Sequence, residues 1–477
     1  MSQNYIEGKS NRYSKHIIIL GSGFAGIEVL KTLQKKFRNN KNNIDITLIS
    51  KDNFLLFTPM LPEVSSGMIE TRHIVTSVRT FCKKANFYEA SVDSIDLNKK
   101  EVALSYTIGN QHQPIYWDHR TLKYDYLVIA LGSESNFFGM SNIEENALTM
   151  KTIDDAIILR NHVINILEQA SINQDNHDLR KSLLTFVVVG GGFSGVETVG
   201  SLNDFVKDTV KEYYKNIYMT DIRVILVNAH DKILPEVGEE LGDFALQKLK
   251  DNGVEFIMNT NVKGATANTA KLDNGTVIPT YTLIWTAGVT PTKVVVNLLC
   301  EHDKGHRIVA NNYLEVPGYD GVYAVGDCAA IPNPYTRKVY PPTAQNAIEE
   351  GRLAAKNIAY AIEGKKNKKK TFNYKNKGIM AQIGRRTGVA QLFGHKFHGF
   401  IAWWLWRTFY LSKLPTIKKK LKVTSDWTTD LLFKPDVAMI KRFVVKENCH
   451  QHDLESHNIQ KENEKVSSSN TSSGIGV

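Results

Sequence analysis

The segment His16-Ile17-Ile18-Ile19-Leu20-Gly21-Ser22-Gly23-Phe24-Ala25-Gly26 decides the fold. Its apolar run shows no polar alternation, which is what a parallel strand covered on both faces requires. The run passes directly into glycines at GxGxxG spacing and then into the helix-forming Ile27-Glu28-Val29-Leu30. Gly21 permits the tight turn, Gly23 lets a pyrophosphate approach the backbone, and Gly26 lets the helix pack closely on the strand. Phe24 and Ala25, between these glycines, are expected beside the bound cofactor, and the helix that follows offers unpaired amides to the phosphates. Placed between a strand and a helix, the motif marks a dinucleotide-binding fold.

The pattern recurs at Phe186-Val187-Val188-Val189-Gly190-Gly191-Gly192-Phe193-Ser194-Gly195, where Gly190, Gly192 and Gly195 repeat the spacing. A second dinucleotide site is therefore expected. In each unit the following strand runs to a position that usually carries a ribose-binding acid. The first unit has Ser50, followed by Lys51, and the second has Asn228. Both can hydrogen-bond a ribose hydroxyl, but Asn228 does not repel a phosphate, so NADH is preferred and NADPH stays open. The second unit reads as an insertion, because the first resumes after it. Residues 124–132 form an apolar strand ending at Ala130 and Gly132, and residues 283–288 end likewise at Ala287 and Gly288. Such small residues let a chain crossover lie close to a bound dinucleotide. Residues 321–328 then give a short strand ending in Gly326-Asp327, whose carboxylate can accept bonds from a ribityl chain while adjacent amides meet phosphate.

Size and composition bound the rest. A chain of 477 residues suggests two to four domains, and its ordinary apolar content excludes a fibrous or disordered protein. The formal charge of +10 invites a polyanionic partner. No nucleic-acid recognition module accompanies it, so nucleic acid is not expected. An anionic membrane surface is the better candidate. No apolar signal precedes the first strand, and no stretch is long enough for a transmembrane helix. The four cysteines show neither a CxxC pair nor a metal spacing, and no metal is expected.

This order of motifs resembles the two-dinucleotide-binding flavoproteins that include glutathione reductase. Within them it is similar to the type II NADH:quinone oxidoreductases, the single-subunit, non-pumping NADH dehydrogenases, over roughly residues 15–440. The resemblance implies FAD on residues 21–26 and NADH on residues 190–195. The segment at residues 53–62, with Thr58 and Pro59, resembles the family segment that passes near the flavin. Residues 341–351 resemble the family's quinone-site signature, in which an Ala-Gln, here Ala344-Gln345, is followed by a second glutamine four residues on. Glu349 stands at that second position, and an ionised carboxylate cannot donate to a quinone carbonyl. Glu197 matches a family glutamate near nicotinamide and flavin, although a carboxylate near a helix start is also favoured by the helix dipole alone. The catalytic set implied is Glu197, Gln345 and Glu349.

Disulfide reductases of this superfamily need a cysteine pair, and sulfide:quinone oxidoreductases need cysteines flanking the flavin. Between Cys82 and Cys300 there are none. A non-catalytic FAD-binding regulator is a rival of a different class, which two intact glycine turns make less economical.

Near the C-terminal end, residues 399–411 read as an aromatic helix too short to span a bilayer, followed by Lys418-Lys419-Lys420-Leu421-Lys422 and then Trp427. Trp and Tyr beside Lys suit a helix lying in the headgroup region. The resemblance adds peripheral attachment and a homodimer, and the expected location is the cytoplasmic face of a membrane.

The expected fold is thus α/β, with two Rossmann-like dinucleotide-binding domains arranged as in glutathione reductase and a C-terminal amphipathic helical membrane-associating region. The expected divisions are 14–150 and 311–371 for the two parts of the FAD domain, the latter with the quinone segment, and 151–310 for the NAD(P)H domain. Residues 372–445 follow as strands, including one at 372–374, and membrane-surface helices. Residues 446–477 are expected as a disordered tail whose Cys449, His450 and His452 make at most a weak metal site.

Overall fold

In the computed structural model the residues described are 15–39, 43–109, 114–336, 338–376, 378–434 and 436–439; the expected tail lies outside them. The first unit begins β1 (Lys15–Leu20), α1 (Phe24–Lys36), β2 (Ile44–Ser50), α2 (Leu61–Ser65), β3 (Asn86–Glu89) and β4 (Tyr126–Ile129). The second comprises β5 (Leu148–Thr149), α3 (Ile153–Ile172), β6 (Thr185–Val189), α4 (Phe193–Tyr213), β7 (Arg223–Val227), β8 (Val254–Ile257) and β9 (Thr282–Trp285). The chain then returns through β10 (Val322–Ala324) and α5 (Ala344–Ile362). It finishes with β11 (Gly378–Gly384), β12 (Thr387–Leu392), β13 (His395–His398), α6 (Gly399–Lys413) and α7 (Ile417–Leu432).

The two units share one topology. The first sheet runs β10-β4-β1-β2-β3 and the second β5-β9-β6-β7-β8, with every pairing parallel. Because β10 pairs with β4, the second unit is inserted into the first, as the motif order implies. Ile17, Ile18, Ile19 and Leu20 are fully buried in a core shared with α1, α5 and the small antiparallel sheet Ser91–Asp96, Glu101–Gly109 and Pro114–Lys123. An apolar run without alternation is what such burial on both faces selects.

The C-terminal part is not a separate appendage. Residues of α6 and α7 share a core with α3, α4 and β11, and with Phe57, Met60, Leu61 and Val64 of the first unit. The segment around α2 therefore packs mainly against the second unit and the C-terminal helices. One expected strand is absent. Residues 372–374 stay irregular because Phe372 is used as a plug, its ring set edge-on to Tyr340 at 4.8 Å and its amide donating to the Asn312 carbonyl at 2.7 Å.

The glycine turns obey a strict steric demand. Gly21 has φ +99° and Gly190 +115°, conformations an L side chain rarely adopts. A Cβ on Gly26 would sit 1.9 Å from the Gly21 oxygen, and one on Gly195 1.8 Å from the Gly190 oxygen. Alanine at either site must force turn and helix apart, at a cost of about 1–3 kcal/mol. Gly195→Ala is expected to keep the bound flavin's absorbance yet lose its bleaching by NADH, whereas Gly26→Ala loses the flavin itself. Absorbance spectra of the purified variants check this, and loss of flavin from Gly195→Ala would count against the assignment.

Candidate functional site: two uncapped glycine turns and a buried carboxylate cluster

Helices α1 and α4 both begin without help. Their N-caps, Gly23 and Gly192, offer no side chain, and neither first turn holds an acid. Helix α3, by contrast, starts with a full capping box between Thr152 and Asp155. Free N-terminal amides need partners, and phosphate oxygens are apt ones. A Cβ placed on Gly23, Gly132 or Gly192 would meet nothing within 4 Å, so the backbone at these points is open to close approach. Each of the two turns fits the pyrophosphate of a dinucleotide such as FAD or NADH.

The strand ends behave differently from expectation. Gly21 donates to the Ile49 carbonyl at 2.7 Å and Gly190 to that of Val227 at 2.9 Å, so Ser50 and Asn228 occupy equivalent positions. Ser50 is buried and hydrogen-bonded to Ser22 at 2.9 Å, while Lys51 is exposed. The Asn228 Oδ1 accepts from the Gly191 amide at 3.0 Å, and its Nδ2 donates to the carbonyls of His230 and Lys232. Asn228 is thus a lock on the glycine turn rather than a group held out to the ribose. With both amide hydrogens used inside the chain, it has none left for a ligand.

Gly326 and Asp327 lie in one tight turn after β10. The Asp327 carboxylate accepts from Ser133 Oγ at 2.7 Å, and Lys151 Nζ stands 2.8 Å from that hydroxyl and 3.5 Å from the carboxylate. The Gly326 amide, expected to meet phosphate, instead donates to Glu350 at 2.7 Å. Sequence patterns missed Ser133 and Lys151, which carry no motif, and gave no role to Glu350, although it lies within residues 341–351.

Strand β11 links two of the three implied catalytic residues, Gln345 and Glu197. Gln345, in the first turn of α5, donates from Nε2 to the Gly378 carbonyl at 3.4 Å. The Glu197 carboxylate, on α4, accepts from the Gln382 amide at 3.0 Å. Those two strand positions are roughly 13 Å apart. Thr58 and Pro59 lie in the short turn leading into α2, whose preceding residue Phe57 sets its ring edge-on to Phe24 at 5.7 Å and to Tyr410 at 6.0 Å. Glu349 turns to Arg352 at 2.7 Å, and Arg352 also holds Glu28. Among the cysteines, Cys328 follows Asp327 but is fully buried, donates to the carbonyls of Ile129 and Val325, and has its thiol pushed up to about 12 by burial.

Comparison with known proteins gives the family. The pyridine nucleotide-disulphide oxidoreductase family matches residues 15–351, and the NDH2 C-terminal domain matches residues 376–436. The type II NADH:quinone oxidoreductase Ndh of Mycobacterium tuberculosis is 32% identical over 428 residues, 87% of this chain and 88% of that one. The internal alternative NAD(P)H-ubiquinone oxidoreductase A1 of Arabidopsis thaliana mitochondria is 30% identical over 445 residues, 89% and 85% of the two chains. The chain belongs to the type II NADH:quinone oxidoreductase family. The structure of NDH2 from Plasmodium falciparum in complex with NADH matches with a TM-score of 0.81 at 23% identity, over 89% of this chain and 99% of that one, a likeness of fold. The activity is accordingly transfer of two electrons from NADH through FAD to a quinone. No helix among the described residues is long and apolar enough to cross a membrane.

The core of this oxidoreductase also holds a polar cluster around Glu63 that no motif announced. Glu63 of α2 is 1% exposed and meets Arg407 Nη2 at 3.4 Å and Trp427 Nε1 at 3.2 Å. The Arg407 guanidinium stacks between the rings of Trp403 at 4.2 Å and Trp427 at 4.6 Å. Burial pushes Glu63 up to about 7 despite Arg407, which pulls it down. Glu197 is pushed up to about 8 by desolvation, opposed by the Gln382 amide and reinforced by the charge of Glu63. Glu197 itself is half-buried. Glu350 is likewise pushed up to about 7 by burial, against the Gly326 amide.

These shifts fix the sign of a pH effect. A carboxyl group whose folded value lies above its unfolded one binds protons more tightly in the native state. Stability from Glu63, Glu197 and Glu350 is therefore greatest at acid pH and is lost as pH rises from about 4.5 to about 8. Thermal midpoints followed by circular dichroism are expected to fall across that window. Glu350→Gln, which keeps an acceptor for Gly326, should flatten the fall; an unchanged slope would refute the sign for that residue.

Proposed function

We propose that NADH, FAD and the quinone meet in the cleft bounded by the two glycine turns, α2 and β11. The observation that carries this is the convergence on one strand, β11, of Glu197 from the second nucleotide unit and Gln345 from the first. Bound FAD supplies the two-electron relay between the two substrates. Residues 21–26, with Ala130, Gly132, Thr58, Pro59 and Asp327, hold it. Residues 190–195, with Ala287 and Gly288, hold the nicotinamide dinucleotide. Asn228 brings no negative charge to the ribose, so NADPH is accepted as well as NADH.

Gln345 and Glu349 divide the quinone's recognition unequally. Glu349 is ion-paired with Arg352 and therefore acts only as an acceptor. Gln345, whose amide makes a single long bond to Gly378, is the donor available to a quinone carbonyl. In stopped-flow traces Gln345→Ala should slow flavin reoxidation by a quinone about tenfold, the worth of one hydrogen bond. Flavin reduction by NADH should stay near wild type, and Glu349→Gln should change either half-reaction less than about threefold. Equal losses in both half-reactions for Gln345→Ala would remove its quinone role.

Attachment is to the surface of an anionic membrane, on its cytoplasmic face, by a homodimer. Helix α6 supports the membrane contact because it is apolar on both sides. Ala402, Trp403 and Trp406 point into the core, while Phe400, Ile401 and Trp404 are each more than half exposed. Helix α7 adds Ile417 and Leu421, exposed among Lys418 and Lys422. The 15 residues of α6 span roughly 22 Å, short of a bilayer core but suited to lying in its interface. Such a seat lets a lipophilic quinone reach the cleft without crossing water. Ile401→Glu with Trp404→Glu is expected to cut cosedimentation with anionic vesicles about tenfold or more; unchanged cosedimentation would refute this anchor.

A further inference from the structure

The two segments that join the nucleotide units run side by side. Ser133–Ser135 follows the first unit's β4 and pairs antiparallel with Val289–Pro291, which leaves the second, with Ser133 opposite Pro291 and Ser135 opposite Val289. One end of this ribbon is tied to Asp327 by the Ser133 hydroxyl. The other end reaches the second glycine turn, because Val289 follows directly on Thr286-Ala287-Gly288. Thr286 packs against that turn: a Cβ on Gly190 would lie 2.9 Å from its Oγ1, and one on Gly195 2.7 Å from it.

Phe138 stands at this second end. Its ring tip rests on Gly288, where a Cβ would come 2.9 Å from the Phe138 Cζ. The side chain is nonetheless 61% exposed. Its backbone has φ +51°, the left-handed region that a bulky residue seldom enters. Neighbours hold it there. Asn136 Oδ1 accepts from the Phe138 amide at 2.8 Å, and Trp285 Nε1 donates to the Asn136 carbonyl at 2.8 Å. The Asn136 amide in turn donates to the Gly288 carbonyl at 3.2 Å. Phe137 stacks on the buried Trp285 at 6.1 Å, so of the two adjacent rings one fills the core and the other is turned out. A strained residue persists only where its surroundings over-determine it, and such places gather at ligand sites. Holding an aromatic ring in water by this set of bonds gains the folded chain nothing by itself.

The order of the second sheet, β5-β9-β6-β7-β8, decides what the ring can meet. In such a fold the adenosine ribose lies at the end of the strand that here stops at Asn228, β7, and the turn after β6 takes the pyrophosphate. A dinucleotide laid from β7 across β6 therefore carries its other half to the end of β9, where Gly288 and Phe138 stand. We propose that the Phe138 ring is a shelf for the nicotinamide half of NADH, covering one side of the nicotinamide and its ribose. The proposal rests on the assignment of NADH to residues 190–195. An aromatic face suits a flat heterocycle, since stacking adds to the apolar area removed from water. The absence of a side chain at Gly288 lets ring and crossover form one continuous surface. The contact exists before and after the hydride leaves, so it contributes to affinity and leaves the limiting rate alone.

Anaerobic stopped flow on the FAD-loaded enzyme, with NADH varied, tests this. Phe138→Ala should raise the NADH concentration that gives half the limiting rate of flavin reduction roughly tenfold. The limiting rate should stay within about threefold, and reoxidation by a soluble quinone within about twofold. Phe138→Tyr, which keeps the flat ring, should stay within about twofold of wild type throughout. Phe138→Asn should lose affinity as alanine does while its thermal midpoint holds or rises, because asparagine tolerates the left-handed backbone. Unchanged half-saturation in Phe138→Ala, failure of tyrosine to preserve it, or equal slowing of the quinone half-reaction overturns the shelf. So does an affinity loss in Phe138→Asn that comes with a lower thermal midpoint, which would leave the ring a packing role only. Full bleaching of Gly195→Ala at wild-type NADH concentrations would instead overturn the assignment of NADH to the second turn.

Discussion

Glu63 is a carboxylate set where carboxylates rarely go, inside an apolar core that joins three parts of the chain. Withdrawing a charge from water costs several kcal/mol, and the cost is offset only when the partner geometry is good. Here the offset comes from Arg407, which faces Glu63 on one side and the flat rings of Trp403 and Trp427 on the other two. Removing either partner of such a pair typically costs about 3–5 kcal/mol, because the survivor is left buried and unpaired. Since Glu63 sits on α2, Arg407 on α6 and Trp427 on α7, the pair binds the segment beside the flavin cleft to both C-terminal helices. The helices that present Phe400, Ile401 and Trp404 outward are therefore held in register with α2 by this pair together with the apolar core they share.

The two nucleotide units show how the same topology accommodates different fillings. Ser50 and Asn228 stand at equivalent strand ends, and each uses its side chain on the glycine turn beside it, Ser50 through the Ser22 hydroxyl and Asn228 through the Gly191 amide. An acid in either place would bring a charge that only a ribose or a neighbouring cation could satisfy. A neutral residue lets the turn be rigid before any ligand arrives, which lowers the ordering cost of binding. The price is discrimination, because a neutral strand end exerts no repulsion on a 2′-phosphate.

Much of this architecture was legible in the sequence because its signals are local. The glycine turns, the unbroken apolar strands and the aromatic helix each declare themselves within a dozen residues, and the order of motifs implied the insertion. The site's polar interior was not legible. Glu63 lies one residue beyond the segment singled out near the flavin, and nothing in that stretch shows that Arg407, more than 300 positions on, will meet it. The role of Asn228 depends on a neighbour across the sheet, and the missing strand at 372–374 on a pocket that wanted the Phe372 ring.

Glu349 shows why a departure from a family pattern is best judged by its neighbours. Taken alone, a carboxylate in place of a glutamine removes a donor from the quinone site. In the fold it completes a chain in which Arg352 bridges Glu28 of α1 and Glu349 of α5. Those two helices are pressed together where Gly351 meets the Ala25 backbone; a Cβ there would lie 2.4 Å from the Ala25 oxygen. A neutral glutamine would leave Arg352 shared by one acid, and α1 carries the first glycine turn. The carboxylate at residue 349 thus helps to brace the helix that starts at the first glycine turn.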